Sequence, residues 1–510
     1  LAASIARRTV MQAGVVLPLA AWPGAGVRAA TPDRQVLRIE RDIQNLDPAE
    51  RPGAVEGNVI RALCRNLVGF RRGSFELEND AAESIRRTDP TTIEFTLKPG
   101  LVFSGGFGEM TADDVKFSYE RFRTPGPDGR LPAYAEDWAA LDHVEVTGRL
   151  SGKLILKQAS AALWKNALAD VSGVVQSRRA AERADGRSRV ALTGAGPYTL
   201  AEWVPNRQVV LRRNPDFQGD RPDYNEIVLR PIADPTTAIL SFEAGELAFT
   251  RIEPIDRKPL AGGHMIELPS INFVWLGINM ARPPFDDARL RKAIRLGIDV
   301  GEVIDAAYDG AVAPARALLA PGMLGHWPDA PAPRRDLAAA KALLAEAGKA
   351  GIGTHLTVLN KPAYLAAGEV IQAQLRALGV AVELRPLDDA SYWSSGSGAA
   401  GQALELFLGR FGGKADPAFI TQWFLPTQIG SWNWQRWDSP DYARLYADAA
   451  AEADETRRAA LYVEMQRLMD RSDAFVPLTH ETNIYLASAG LDPAILPNGD
   501  DVQYGGFRRR

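Results

Sequence analysis

The chain has a single cysteine, Cys64, among its 510 residues. One cysteine excludes an internal disulfide and a cysteine-cluster metal site, and it leaves no cysteine near the start for a lipid anchor. Histidine is almost as scarce: His143, His264, His326, His355 and His480 stand far apart. They form no His-x-x-x-His or Glu-x-x-His pair to hold a metal, and Cys64 has no obvious partner base. No Gly-x-x-x-x-Gly-Lys-Ser/Thr loop cradles a phosphate, and Gly396-Ser397-Gly398 is too short a pattern for a nucleophile elbow. A basic stripe is missing as well. The net charge is -4, and the only dense basic run is the terminal Arg508-Arg509-Arg510, read as solvated, so no nucleic-acid surface is encoded. Apolar runs are short, and Ala13 to Ala21 falls below the roughly 20 residues that cross a bilayer. What remains, at 46% hydrophobic and 24% charged residues, is an ordinary globular composition without low-complexity bias.

The first thirty residues have no Asp or Glu, a paired Arg7-Arg8 and then the short apolar stretch. This pattern predicts a signal peptide over 1–30, with the paired arginines pointing to the twin-arginine route. Val10-Met11 replaces that motif's usual Phe-Leu, and cleavage after Ala29 or Ala30 suits the small residues there. An N-terminal amphipathic helix is the other reading, weakened by Pro18 and Pro23. Removing the segment takes away three arginines and no acid. The mature chain is therefore expected to be acidic, periplasmic and without membrane insertion. Its length exceeds what one hydrophobic core supports, so two or more packed units are expected.

Val36 to Glu40 alternates like a strand and ends in the Asn45-Leu46-Asp47-Pro48 turn. Residues 92 to 98 alternate and stop at Pro99-Gly100. Thr111 predicts an N-cap with Asp113 and Asp114 in the first helical turn. Strands are expected over Tyr198 to Trp203, Val209 to Arg212, Glu226 to Arg230 and Asn272 to Asn279. Helices then dominate: Leu290 to Ile298, Asp336 to Ala347, Ala363 to Leu378 and Thr456 to Met469, with Gly348 and Gly379 as C-caps. After those two glycines come strands 356–359 and 380–384, and helix followed by strand, repeated, implies an α/β lobe.

Several of these pieces, in order, resemble the family 5 solute-binding proteins, the group with peptide, nickel and opine receptors of bacterial ABC importers. The resemblance is carried by Thr111 to Ser118, Gly194-Ala195-Gly196-Pro197-Tyr198, Asn214-Pro215-Asp216-Phe217, Asp234-Pro235-Thr236-Thr237, Pro284-Phe285-Asp286-Asp287, Ala347-Gly348 and Trp437 to Tyr442. It implies a two-lobed α/β periplasmic-binding-protein fold of the cluster C type. Lobe I is expected from 31–274 and 478–510, with an extra subdomain inserted near 71–189, and lobe II from 275–477. It also implies a monomer that delivers a small-molecule ligand to importer permease and ATPase subunits, with neither catalysis nor cofactor. A periplasmic hydrolase or a chaperone on the same fold are the competing readings.

Cleft candidates are aromatic and charged residues of lobe II and the crossings: Trp275, Tyr392, Arg410, Lys414, Asp416, Trp432, Asn433 and Trp434. The resemblance implies that peptide-binding relatives carry Trp-x-x-Asp-x-x-Asp-Pro here, the first aspartate taking the peptide's ammonium group. Aligned on Asp416-Pro417, this chain has Arg410 at the Trp and Gly413 at that aspartate. A buried ammonium needs an opposite charge. An anionic or polyhydroxylated ligand is therefore expected, with a peptide as the alternative. The other reading of Arg410 is a structural ion-pair partner, and that of Asp416-Pro417 a turn.

Overall fold

Alternation along one short strand shows how the first lobe is built. In Arg34–Ile39, Leu37 and Ile39 enter one apolar core while Val36 enters another on the opposite face, as the period of two requires. The computed structural model describes residues 33–50, 53–126, 129, 131–183, 192–257, 263–349 and 351–510. The signal segment expected over 1–30 lies outside the described residues. Arg34–Ile39 is the fourth strand of a seven-stranded sheet. The order is Tyr198–Val204, Gln208–Arg213, Glu226–Pro231, Arg34–Ile39, Phe249–Ile252, Thr482–Ser488, Gly263–Pro269.

The recurring turn pieces of the sequence are structural clips of this lobe. A Cβ on Gly194 would lie 2.2 Å from the Leu63 carbonyl oxygen, and one on Gly196 2.4 Å from the Leu63 carbonyl carbon. The two glycines let the chain pass against the end of helix Ala54–Leu63 before strand Tyr198–Val204 begins. The Asn214 side chain then donates to the Gly196 carbonyl at 2.9 Å, tying one turn to the other. A separate four-stranded sheet, Ala82–Asp89, Thr92–Leu97, Ser151–Leu156 and Leu141–Val146, has its own core around Phe95, Tyr119 and Trp138. Against it packs helix Ala112–Glu120, where Asp114 accepts the Thr111 backbone N–H at 2.9 Å and hydroxyl at 2.8 Å. Asp114 is thereby committed to capping. Asp287 is itself the N-cap of helix Ala288–Gly297, accepting the Arg289 N–H.

The second lobe centres on five strands in the order Ala381–Leu387, Gly353–Leu359, Leu406–Phe411, Phe273–Ile278, Phe475–Thr479. Every residue of Phe273–Ile278 is buried, which explains its unbroken apolar run: both faces are covered. Helix Pro362–Leu378 ends at Gly379, whose φ of 99° makes the C-cap, and the next strand follows directly. Together the two sheets make a two-lobed α/β protein. The chain leaves the first sheet after Pro269 and re-enters it at Thr482. The boundaries expected at 274/275 and 477/478 fall inside strands Phe273–Ile278 and Phe475–Thr479. The changeovers lie instead at 270–272 and 480–481, because the strands pair over their full length.

His480 sits in the return crossing, 3.1 Å from the Leu318 carbonyl oxygen through Nε2. Burial depresses its pKa to about 4 against an ordinary 6.5. The neutral ring is thus the folded form, and its stabilisation is complete above pH 6.5 and is lost as pH falls toward 4, at about 1.4 kcal/mol per pH unit. Thermal melts at pH 7 and pH 4.5 check this. The wild-type chain is expected to lose more stability between those values than His480→Gln does.

Candidate binding site

Burial of opposite charges on two facing lobes organises the space between them. A cavity of about 580 Å³ lies there, within the size range of small-molecule sites. Helix Ala54–Leu63 brings Arg61 to its wall, the segment before Trp138 brings Tyr134 and Asp137, and the closing loop brings Asp500 and Asp501. Asn272 comes from the crossing, and Arg410, Gly413, Lys414, Phe419 and Trp423 from the second lobe. Phe70 and Phe75, edge to face with centroids 5.3 Å apart, add apolar wall.

One ion-pair chain runs across this space. Arg61 meets Asp501 with two bonds of 3.0 Å and Asp170 with one of 2.6 Å. Lys414 meets Asp170 at 2.7 Å and Asp137 at 2.6 Å. Burial pushes the Asp170 carboxyl up, but Lys414 and Arg61 outweigh it and bring the group down to about 2. Burial alone would lower the Lys414 ammonium; Asp170 and Asp137 reverse this and hold it charged.

Arg410 is placed differently. Its Nε donates to Glu481 at 2.9 Å, and Glu481 also accepts from the hydroxyls of Tyr364 at 3.0 Å and Tyr308 at 3.3 Å. Among the described residues the two Nη groups of Arg410 have no hydrogen-bond partner. Lys165, also on the wall, has no ion pair among the described residues, and neither does the wall carboxylate of Glu136. Lys165 and Glu136 are thus the wall charges without an ion pair among the described residues, and Arg410 keeps two unused Nη groups beside its pair with Glu481.

Of the candidates named from sequence, the structure brings Arg410 and Lys414 to the cavity, buries Trp275, Tyr392, Asp416, Asn433 and Trp434, and leaves Trp432 half-buried. Trp275 is 1% exposed, stacks on Phe273 at 5.0 Å, and packs so tightly on Gly409 that a Cβ there would clash. Trp434 is 2% exposed and lies on Gly396, its indole N–H donating to the Ser431 carbonyl. Tyr392 is buried beside it and donates to the Leu408 carbonyl. Asn433 is fully buried as a loop clip, donating to the carbonyls of Phe424, Leu425 and Trp437. Trp432 packs on Trp423 and Phe411 behind the wall. Asp416 pairs with Arg458 through two bonds of 2.6 and 2.7 Å. The five buried side chains have internal partners and shape the lobe, and Trp432 reaches the cavity only through Trp423, which lines it. The first lobe's contributors, Arg61, Tyr134, Asp137 and Asp170, carry no local motif. The closing loop Pro497-Asn498-Gly499-Asp500-Asp501 does carry one, a turn signal followed by two acids.

Two α/β lobes joined by two crossings and enclosing a mixed polar and aromatic cavity define a solute-binding receptor. The chain belongs to the bacterial extracellular solute-binding proteins, family 5, whose model matches residues 76–432. It is 27% identical over 470 residues to the probable D,D-dipeptide-binding periplasmic protein DdpA of Escherichia coli, covering 88% of this chain and 89% of that one. The glutathione-binding protein GsiB of Pectobacterium atrosepticum is 26% identical over 487 residues, covering 91% and 90%. Among solved structures, HbpA2 of Haemophilus parasuis superposes with a TM-score of 0.84 at 22% identity, over 94% of this chain and 100% of that one. Members of this family are binding proteins rather than enzymes. Among the described residues no three His, Cys, Asp or Glu side chains gather as a metal site, and no helix is long and apolar enough to cross a membrane.

Proposed function

We propose that this protein captures a small carboxylate-bearing solute without a peptide's free α-ammonium group between its lobes in the periplasm and hands it to the permease of an ABC importer. The observation that carries this reading is the guanidinium of Arg410, a residue of the cavity wall whose Nε is held by Glu481 while its two Nη groups have no hydrogen-bond partner among the described residues. A held guanidinium with a free edge is preorganised for a bidentate carboxylate. Lys165 adds a second wall cation, and Phe75, Phe419 and Trp423 supply apolar wall. Gly413 offers no anchor for an amine at the position where the resemblance implies one. A peptide receptor is the second reading, favoured by the dipeptide and glutathione named for the relatives. Thermal melts against di- and tricarboxylates, sugar acids, opine-type conjugates, neutral sugars and simple dipeptides separate the two. Carboxylate-rich solutes are expected to raise the melting temperature and to be recovered chemically unchanged. Tighter binding of neutral sugars or ordinary dipeptides would overturn the proposal.

A further inference from the structure

The Lys414 ammonium is enclosed more completely than an ordinary ion pair requires. It hydrogen-bonds Asp137 at 2.6 Å and the Asn166 carbonyl at 3.2 Å and forms an ion pair with Asp170 at 2.7 Å. The Tyr134 ring centroid stands 4.6 Å from Nζ and that of Phe419 5.1 Å, within cation–π range. Two carboxylates, one carbonyl and two aromatic faces make a chemically complete primary-ammonium site. All but Phe419 come from the first-lobe side, whereas Lys414 follows strand Leu406–Phe411 of the second lobe. Lesser ties lie nearby: Asp416 N–H to the Asn166 side-chain oxygen at 3.0 Å, the Asn166 side-chain amide to the Asp416 carbonyl at 3.4 Å, and Ala161 N–H to the Ala450 carbonyl at 3.3 Å.

We infer that Lys414 acts as an internal ligand: its ammonium fills an amine site in the cleft wall and holds the lobes together without solute. The inference rests on the reading of this cleft as the solute site. Two consequences follow from the geometry. Separating the lobes pulls one charge out of a cage of four first-lobe groups, so the solute-free protein favours the closed form. A solute's own primary amine finds its best site already occupied, which selects against amine-bearing solutes at this corner.

The test compares the full-length wild type with Lys414→Ala and Asp137→Asn, without any natural solute, by small-angle scattering and thermal melts. Lys414→Ala is expected to show a larger radius of gyration than the wild type. Propylammonium chloride should then fill the vacated cage and raise its melting temperature by about 2 °C or more. Sodium and tetramethylammonium chloride, which cannot donate three N–H bonds, should do neither, and wild type should not respond to propylammonium. Asp137→Asn should open similarly, and it serves as the test if Lys414→Ala does not fold. Equal radii of gyration for wild type and the folded variants, or a propylammonium effect no larger than that of sodium, would overturn the inference. Neither readout needs the solute, so failure here leaves the carboxylate reading standing, and failure of carboxylates to bind leaves the internal ligand standing.

Discussion

Arg410→Ala is expected to weaken capture of a carboxylate-bearing solute about 30- to 1,000-fold. That range corresponds to roughly 2–4 kcal/mol, the cost of removing one partner of a desolvated charge-assisted pair. Two losses add. The solute carboxylate loses its bidentate donor, and Glu481, whose side chain is 14% exposed, keeps only the hydroxyls of Tyr308 and Tyr364 as partners. Arg410→Lys should fall between, since a lysine keeps the charge but not the planar fork that binds Glu481 and solute at once. Isothermal titration with the best carboxylate from the melting screen measures all three proteins. An affinity for Arg410→Ala within threefold of wild type would remove Arg410 from the site. Raising salt offers a second view, because an exposed contact would weaken steeply while one in a closed cleft would be screened much less.

The largest expected effect on stability comes from a pair outside the cavity. Asp416 is 3% and Arg458 4% exposed, and their paired bonds are the short, parallel kind that makes an arginine-carboxylate contact strong. Asp416→Ala leaves the guanidinium buried with two neutral acceptors, the Ala449 carbonyl and the Tyr462 hydroxyl. A stability loss of about 3–5 kcal/mol is expected, read from chemical denaturation followed by tryptophan fluorescence of the second lobe. Asp416→Leu combined with Arg458→Met should recover most of it, because the penalty lies in the stranded charge and not in the absence of the pair. A double variant as unstable as Asp416→Ala would show that shape, not charge, governs the site.

Much of the fold was readable from local patterns because those patterns answer to local physics. The strands Tyr198–Val204 and Glu226–Pro231 and the helix Pro362–Leu378 end within a residue or two of where alternation, proline and glycine place them. Thr111 and Asp114 cap a helix as their spacing suggests. The crossings were displaced by several residues because a strand's end depends on how far its neighbour extends, which no single segment encodes. The site was harder still. Tryptophans 275 and 434 have the composition of a cleft wall, yet the glycines that receive them, Gly409 and Gly396, lie elsewhere in the sequence and decide that they are core. Asp416 looked open until Arg458, forty-two positions onward, took both its oxygens. The first-lobe groups Arg61, Tyr134, Asp137 and Asp170 come from separate parts of the chain, and only the tertiary fold assembles them at the cavity.

Glu481 stands at the second crossing with a backbone φ of 61°, a conformation uncommon for a non-glycine residue. The residue at which the chain changes lobe is therefore also the counter-ion of the cleft arginine. On the proposed reading, solute and crossing draw on one guanidinium, which would let occupancy be felt at the pivot itself. A receptor wired this way senses its cargo at the axle rather than at the jaws.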